Sequence, residues 1–266
     1  MGVPQPHVII TADDFGAGPE INEAIVKSFR EGLVTHASLL VNMAGFDEAC
    51  RLIRRDGLQQ RVGLHFNLTE GTPLTTAMRE TKSFCIDGQF APPHHFARYR
   101  SLSGDDRRAV EQEAHAQIVA ARAQGIALTH LDSHNDVHIE LAIAGIVVAV
   151  AKACGIERVR PARNCGVQQG AIRWLQHRSY NAWLSRQGLR GVRYFGTIDD
   201  MLWLAQRGRL GEHASVEIMT HPRLRADGTV LDAPSMEPLS ERVLQLRPYL
   251  YSTRVQRVQG VQIAEP

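Results

Sequence analysis

Cysteine is scarce in this chain of 266 residues: Cys50, Cys85, Cys154 and Cys165 are scattered, with no CxxC pair. Zinc-finger and disulfide-scaffold designs are excluded, and free thiols in a reducing cytoplasm are expected. No run of eighteen apolar residues exists, so no membrane span is expected. The longest near-apolar stretch, 139–151, is too short to span, carries Glu140, and reads as a buried helix. Neither sign of charge dominates: 30 basic residues face 28 acidic ones, a formal net charge of +2. Nucleic-acid binding driven by bulk charge is therefore excluded, and with 44% hydrophobic residues so is a disordered chain. The opening MGVPQPHVII lacks the basic-then-apolar pattern of a secretory leader and has no Ser or Thr at the sixth position for myristoylation. P-loop, GxGxxG and GxSxG motifs are missing. Asp14-Phe15-Gly16 spells a kinase tripeptide without the other kinase motifs, and His134 and His138 have HxxxH spacing without the zincin glutamate.

What is present is strand–helix alternation. HVIIT (7–11) reads as a buried strand, followed by Asp13-Asp14 and by a helix opening at Pro19 and ending at Gly32. VTHASLLV (34–41) and RVGLHFNL (61–68) read as further strands around the helix FDEACRLIRR. Residues 69–104, rich in Gly and Pro, read as an inserted loop region of the lid or binding kind. A helix after Gly104, a strand over 126–132, a helix over 139–154 and a short strand at 159–161 follow. Helix-like 170–187, strand-like 191–195, helix-like 199–208 and strand 214–220 complete the series, and 253–266 is an edge strand or a tail. The pattern predicts an α/β fold, a (β/α) barrel more than an open sheet, with residues 1–266 as one catalytic barrel domain.

The polar residues fall at strand ends: Asp13 and Asp14 after the first strand, His65 near the end of the third, His221 after the seventh. His130, Asp132, His134, Asp136 and His138 cluster at the end of the fourth. A parallel barrel gathers such positions on one face. Two adjacent carboxylates repel unless a cation offsets them, and one Asp with two imidazoles is a reasonable divalent-metal set. The second carboxylate is then free to act as a base, and a further histidine can protonate a leaving group, which describes metal-assisted hydrolysis of an amide or ester. Each feature also has a structural reading: a helix cap for Asp13-Asp14, a satisfied core histidine for His65, a strand terminator for His221. His36, His94, His95, His115, His177 and His213 are taken as structural or exposed.

At these residues the chain resembles a known family. TADDFG (11–16) with Asn22, VGLHFNLTEG (62–71), THLDSHNDVH (129–138) and EIMTHP (217–222) are similar, in the same order, to motifs of the YdjC/ChbG-type carbohydrate deacetylases. That group includes chitooligosaccharide deacetylases and hopanoid-associated HpnK proteins. The resemblance implies a deformed (β/α) barrel related to the polysaccharide-deacetylase barrels. It implies one divalent ion, Zn2+ or Mg2+, on Asp14, His65 and His134, with Asp13 as general base and His221 as general acid. The implied reaction removes an acetyl group from an N-acetylated amino sugar or glycoconjugate, in a chain that is often a homodimer. His138, Asp136, Asn67, Glu70 and Arg160 are expected on the substrate side, Arg160 pairing with Asp13 as well, and Asp132 is expected to steady an imidazole. Two departures stand out. Asp136 replaces the middle histidine of the usual DSHxHxH, and Arg223 follows His221-Pro222 where the family has glycine, which points to an acidic or unusual substrate. A metal phosphoesterase and a silent sugar-binding barrel are the competing readings.

Overall fold

The computed structural model describes residues 8–92, 101–166, 170–210 and 215–250. His7, His94, His95, His213 and the 253–266 segment lie outside the described residues. Six parallel strands form one sheet: β1 (Val8–Phe15), β2 (His36–Leu39), β3 (Val62–Phe66), β6 (Leu131–Ser133), β7 (Tyr194–Gly196) and β8 (Val216–Thr220). Their order is β6-β3-β2-β1-β8-β7. Isolated parallel bridges, Leu131 to Val159 and Arg158 to Arg190, carry the curl onward beside β6. The result is a curled, incomplete barrel with helices around it, as the alternation predicts. Because β3 is buried along its whole length, its sequence VGLHF is apolar on both faces apart from the one histidine.

The helices begin and end where local chemistry permits. Helix α1 (Pro19–Arg30) starts with proline in its first turn, places Glu20 near its N-terminus, and has Lys27 and Arg30 in its last turn. Helix α2 (Phe46–Arg55) matches the predicted segment residue for residue. Helix α4 (Gly104–Ala123) is opened by a capping box in which Ser103 and Asp106 exchange side-chain to backbone hydrogen bonds. It packs against α5 (Leu141–Ala153), the near-apolar stretch, which is buried along one face and exposed along the other. Helices α6 (Ala171–Leu184) and α7 (Ile198–Gln206) complete the barrel's outer layer.

Several boundaries differ from the pattern reading. Strand β1 runs on through Asp13 and Asp14 instead of ending before them. The segment at 159–161 contributes a single bridge and no strand. Before α5, residues His134–Ile139 form a tight 3₁₀ turn in which Asn135 and Asp136 are left-handed. The insertion 69–104 has some order of its own, with the short helix α3 (Thr76–Arg79) and the hairpin β4 (Cys85–Ile86) and β5 (Gln89–Phe90). Buried Glu113 of α4 anchors it by accepting from the backbone N–H groups of Leu74 and Thr75. Beyond β8 the chain forms a small antiparallel sheet, β9 (Pro222–Leu224), β10 (Val230–Asp232) and β11 (Glu237–Pro238), and then α8 (Leu239–Leu250).

One glycine is required by close approach. A Cβ at Gly63, in β3, would lie 2.4 Å from the ring of His130. That ring cannot retreat, because Ser38 Oγ and Thr129 Oγ1 hold its nitrogens at 3.1 and 2.9 Å. Gly145, on the exposed side of α5, meets nothing within 4 Å. Gly63→Ala is expected to destabilise the protein by roughly 1–3 kcal/mol through overpacking. Gly145→Ala is expected to stabilise it by roughly 0.5–1 kcal/mol by restricting the unfolded chain. Denaturant melts of both variants check the pair, and equal effects would contradict the packing.

Candidate metal centre and active site

All six strands are parallel, so their carboxyl ends open on one rim. A local irregularity at that rim sets the chemistry. Between Ala12 and Phe15, β1 advances three residues while β2 advances two, from Ala37 to Leu39. The extra residue is accommodated by Asp14, whose φ is 71°. A regular strand would send Asp13 and Asp14 to opposite faces; the bulge re-aims one of them, and both carboxylates enter the same buried network. The left-handed backbone at a non-glycine residue is a local strain of the kind found at functional sites.

Asp14 Oδ1 lies 3.0 Å from His134 Nδ1 and 3.4 Å from His65 Nε2. Burial pushes the Asp14 carboxyl up, but hydrogen bonds from His134 and His65 and their charges outweigh it and hold it well below the carboxylate range. His65 comes from β3, two strands away from β1. Its Nδ1 faces Asp132 Oδ1 at 2.8 Å, which leaves Nε2 directed at Asp14. Burial pulls the His65 pKa down, yet the charge and hydrogen bond of Asp132, with Asp14 and Asp13, push it up to about 10. Asp132 thus holds the His65 ring by its Nδ1. The donor atoms of Asp14, His65 and His134 all lie within 4.8 Å of one another. One carboxylate and two imidazoles around a common point, with Nδ1 of one imidazole backed by a carboxylate, is a donor set that fits a divalent ion.

Asp13 faces the other way, into a fork. Arg160 Nη1 and Nη2 donate to its two oxygens at 2.7 and 2.8 Å. The same guanidinium contacts Asp132 Oδ2 at 2.7 Å and Glu217 Oε1 at 2.9 Å, and lies over the Phe195 ring. Arg160 is 1% exposed, so the expected pairing with Asp13 is present while its whole polar head is spent inside the protein. Burial lowers its pKa, and Asp13, Asp132 and Glu217 together raise it well above the usual value.

The remaining predicted residues are distributed as follows. His221 follows Thr220, which is in register with Ala12, so it stands at the level of Asp13 on the neighbouring strand. Its backbone is clamped: its N–H donates to Asp232 Oδ1 at 3.0 Å and its carbonyl accepts from Ala233. Glu70, half exposed, places Oε1 3.4 Å from His134 Nε2. Asn67 is buried and uses its amide to shape the 67–70 turn, accepting from Thr69 and Glu70 and donating to Asn42. His138 is buried with Nδ1 against Ser133 and Nε2 against the Arg160 carbonyl. Asp136 points toward α6, 4.0 Å from Arg173. Arg223 reaches to 3.6 Å from Asp14 Oδ2. Sequence reasoning missed Ser38, Glu217 and Asp232. Glu217 had a signal, a lone carboxylate in the apolar strand ASVEIMT; Ser38 and Asp232 had none.

With the His65 pKa raised to about 10 against the effect of burial, chiefly by Asp132, a metal ion and a proton compete for Nε2. Ion uptake is expected to release a proton at pH 7 and to weaken about tenfold for each unit the pH falls below about 10. Calorimetry in two buffers of different ionisation enthalpy counts the protons, and a count of zero would contradict a protonated His65.

A carbohydrate deacetylase of Brevibacillus brevis is 30% identical over 94% of this chain and 97% of its own length. A human carbohydrate deacetylase is 35% identical over 66% of this chain, and this chain spans only 54% of it. A crystal structure of a protein from Enterococcus faecalis, proposed to act in cellobiose-phosphate cleavage, superposes with a TM-score of 0.67 at 20% identity, covering 93% of this chain and 92% of that one. That likeness shows the fold. The family described as YdjC-like protein matches residues 7–257, and with the bacterial relative aligned over nearly its whole length, the chain belongs to the YdjC-like family.

Proposed function

We propose that the protein is a metal-dependent carbohydrate N-deacetylase acting on an N-acetylated amino sugar or glycoconjugate. The observation that carries this reading is the convergence of Asp14, His65 and His134, remote in sequence, with Asp13 beside them on the same bulge. The relatives named carbohydrate deacetylases support the substrate class. The described chain serves as one catalytic unit in this reading.

Asp14, His65 and His134 would hold the divalent ion, which when bound supplies Lewis acidity toward the acetyl carbonyl and lowers the pKa of water. Zinc suits the two imidazole donors better than magnesium does. Asp13 is the general base: its carboxylate is fixed in orientation by the Arg160 fork, so it can accept a proton from the attacking water without first reorganising. His221 is the general acid, giving a proton to the departing nitrogen, which matters because an amide anion is a very poor leaving group. The clamped backbone at Asp232 and Ala233 limits the positions its ring can take. Glu70, Asp136 and Arg223 line the substrate side, and Arg223 brings a cation there that suits an acidic saccharide. The four free cysteines support a cytoplasmic setting, and exposed Ile172 and Leu175 on α6 supply apolar surface for a homodimer. Among the described residues no helix is long and apolar enough to cross a membrane.

Acetate release from a panel of N-acetylated saccharides, with and without chelator, tests the activity. Release that is absent with metal, while saccharide still binds, would favour a silent sugar-binding barrel. Asp14→Ala and His134→Ala are expected to abolish metal uptake by elemental analysis. Asp13→Asn is expected to keep the ion and lose turnover by roughly 10²–10⁴-fold. Near-normal acetate release by Asp13→Asn would remove the base assignment.

A further inference from the structure

Asp14, His65 and His134 are not held alike. Asp14 lies within β1, and His65 lies within β3 with Asp132 against its Nδ1. His134 follows the last residue of β6 and opens the 3₁₀ turn whose next two residues, Asn135 and Asp136, are left-handed. Two residues of the 67–70 turn grip this segment from the other side. Thr69 Oγ1 accepts from Asn135 Nδ2 at 3.1 Å, and Glu70 Oε1 stands 3.4 Å from His134 Nε2. Nδ1 of the same ring faces Asp14 Oδ1 at 3.0 Å. The turn is itself firmly built. Asn67 Oδ1 accepts from the backbone N–H groups of Thr69 and Glu70 and from Thr69 Oγ1, and Asn67 Nδ2 donates to the Glu70 carbonyl. The Asn67 backbone is bonded on both sides to the Gln117 amide of α4, and Gln117 donates to Glu113. Asn67, Gln117 and Glu113 are each 0% exposed, so a buried polar spine runs from α4 to the turn. A satisfied network of this kind rigidifies what it holds. Only the Glu70 side chain emerges from it, half exposed at the rim.

We infer that Glu70 is a positioning residue for His134: its carboxylate takes the Nε2 proton side of the ring and so leaves Nδ1, beside Asp14, for the ion. The inference rests on the reading of Asp14, His65 and His134 as the metal set. A carboxylate behind a ligating imidazole fixes its tautomer and the orientation of its ring. Glu70 does for His134 what Asp132 does for His65, from the rim instead of the interior. The same spine anchors the insertion, because Glu113 also accepts from the N–H groups of Leu74 and Thr75. The insertion and the His134 ring are therefore held by one turn.

Calorimetric titration of the chelator-stripped protein with Zn2+ alone tests this. Glu70→Ala is expected to bind Zn2+ roughly 10–100-fold more weakly than wild type, the usual loss when the outer partner of a ligand is removed. Circular dichroism of the stripped variant is expected to match that of stripped wild type. Glu70→Gln keeps an acceptor oxygen without the charge and is expected to recover most of the lost affinity. Wild-type affinity in Glu70→Ala, with the effect confined to KM for an N-acetylated saccharide, would make Glu70 a substrate contact only and overturn the inference. Affinity in Glu70→Gln as weak as in Glu70→Ala would make Glu70 a direct ligand of the ion and overturn it as well. An unfolded stripped Glu70→Ala chain would reduce the residue to a structural role. A wild-type chain that takes up no Zn2+ would instead remove the underlying metal reading.

Discussion

A guanidinium buried among three carboxylates is the interaction on which the rest of the barrel's interior depends. Arg160 is 1% exposed, and Asp13, Asp132 and Glu217 are 3%, 0% and 1% exposed. Any one of these charges alone would be costly to bury, and breaking such a cluster by removing one partner typically costs about 3–5 kcal/mol. Together they compensate one another: Glu217 and Asp132 are held below their usual range by Arg160 despite burial, which acts in the opposite direction. The cluster ties β1, β6 and β8 to the segment after α5, where the backbone hydrogen bonding of the sheet is thinnest.

That cluster also sorts two adjacent aspartates into different tasks. Asp13 and Asp14 are neighbours on one bulge, yet the first is gripped by a guanidinium and the second faces imidazoles. Orientation comes from the left-handed backbone at Asp14, and environment comes from what each carboxylate meets. The two carboxylates therefore sit side by side with different partners, which is what the proposed division between metal ligand and base requires. His65 links the two halves, because its Nδ1 answers to Asp132 in the arginine cluster while its Nε2 answers to Asp14. A change at Arg160 would thus reach Asp14 and its imidazoles through Asp132 and His65.

Much of the scaffold was legible because its signals are local. Helix α2, the proline-opened α1, the capped α4 and the apolar α5 each carry their own start, stop or burial pattern within about twenty residues. Six of the predicted strands were placed correctly but drawn too long or too short by a few residues, and the one at 159–161 is only a bridge, since hydrogen-bonded extent depends on the neighbour and not on the strand itself. The antiparallel sheet after β8 went unread: its strands are only two or three residues long, below the length at which alternation can be recognised. The interior partners were legible in proportion to their oddity, so that a glutamate in an apolar strand could have been noticed, while Ser38 is an ordinary strand residue.

From residue order alone came the parallel barrel, the strand-end placement of Asp13, Asp14, His65 and His221, and through the motifs the family. The first two are matters of periodicity and spacing, which the chain carries in one dimension; the family rests on the resemblance of its motifs. Which carboxylate faces the imidazoles and which faces an arginine could not be read that way. It depends on one extra residue in a ladder of hydrogen bonds and on a guanidinium 147 positions away from Asp13, and both exist only once strands from distant parts of the chain have come into register.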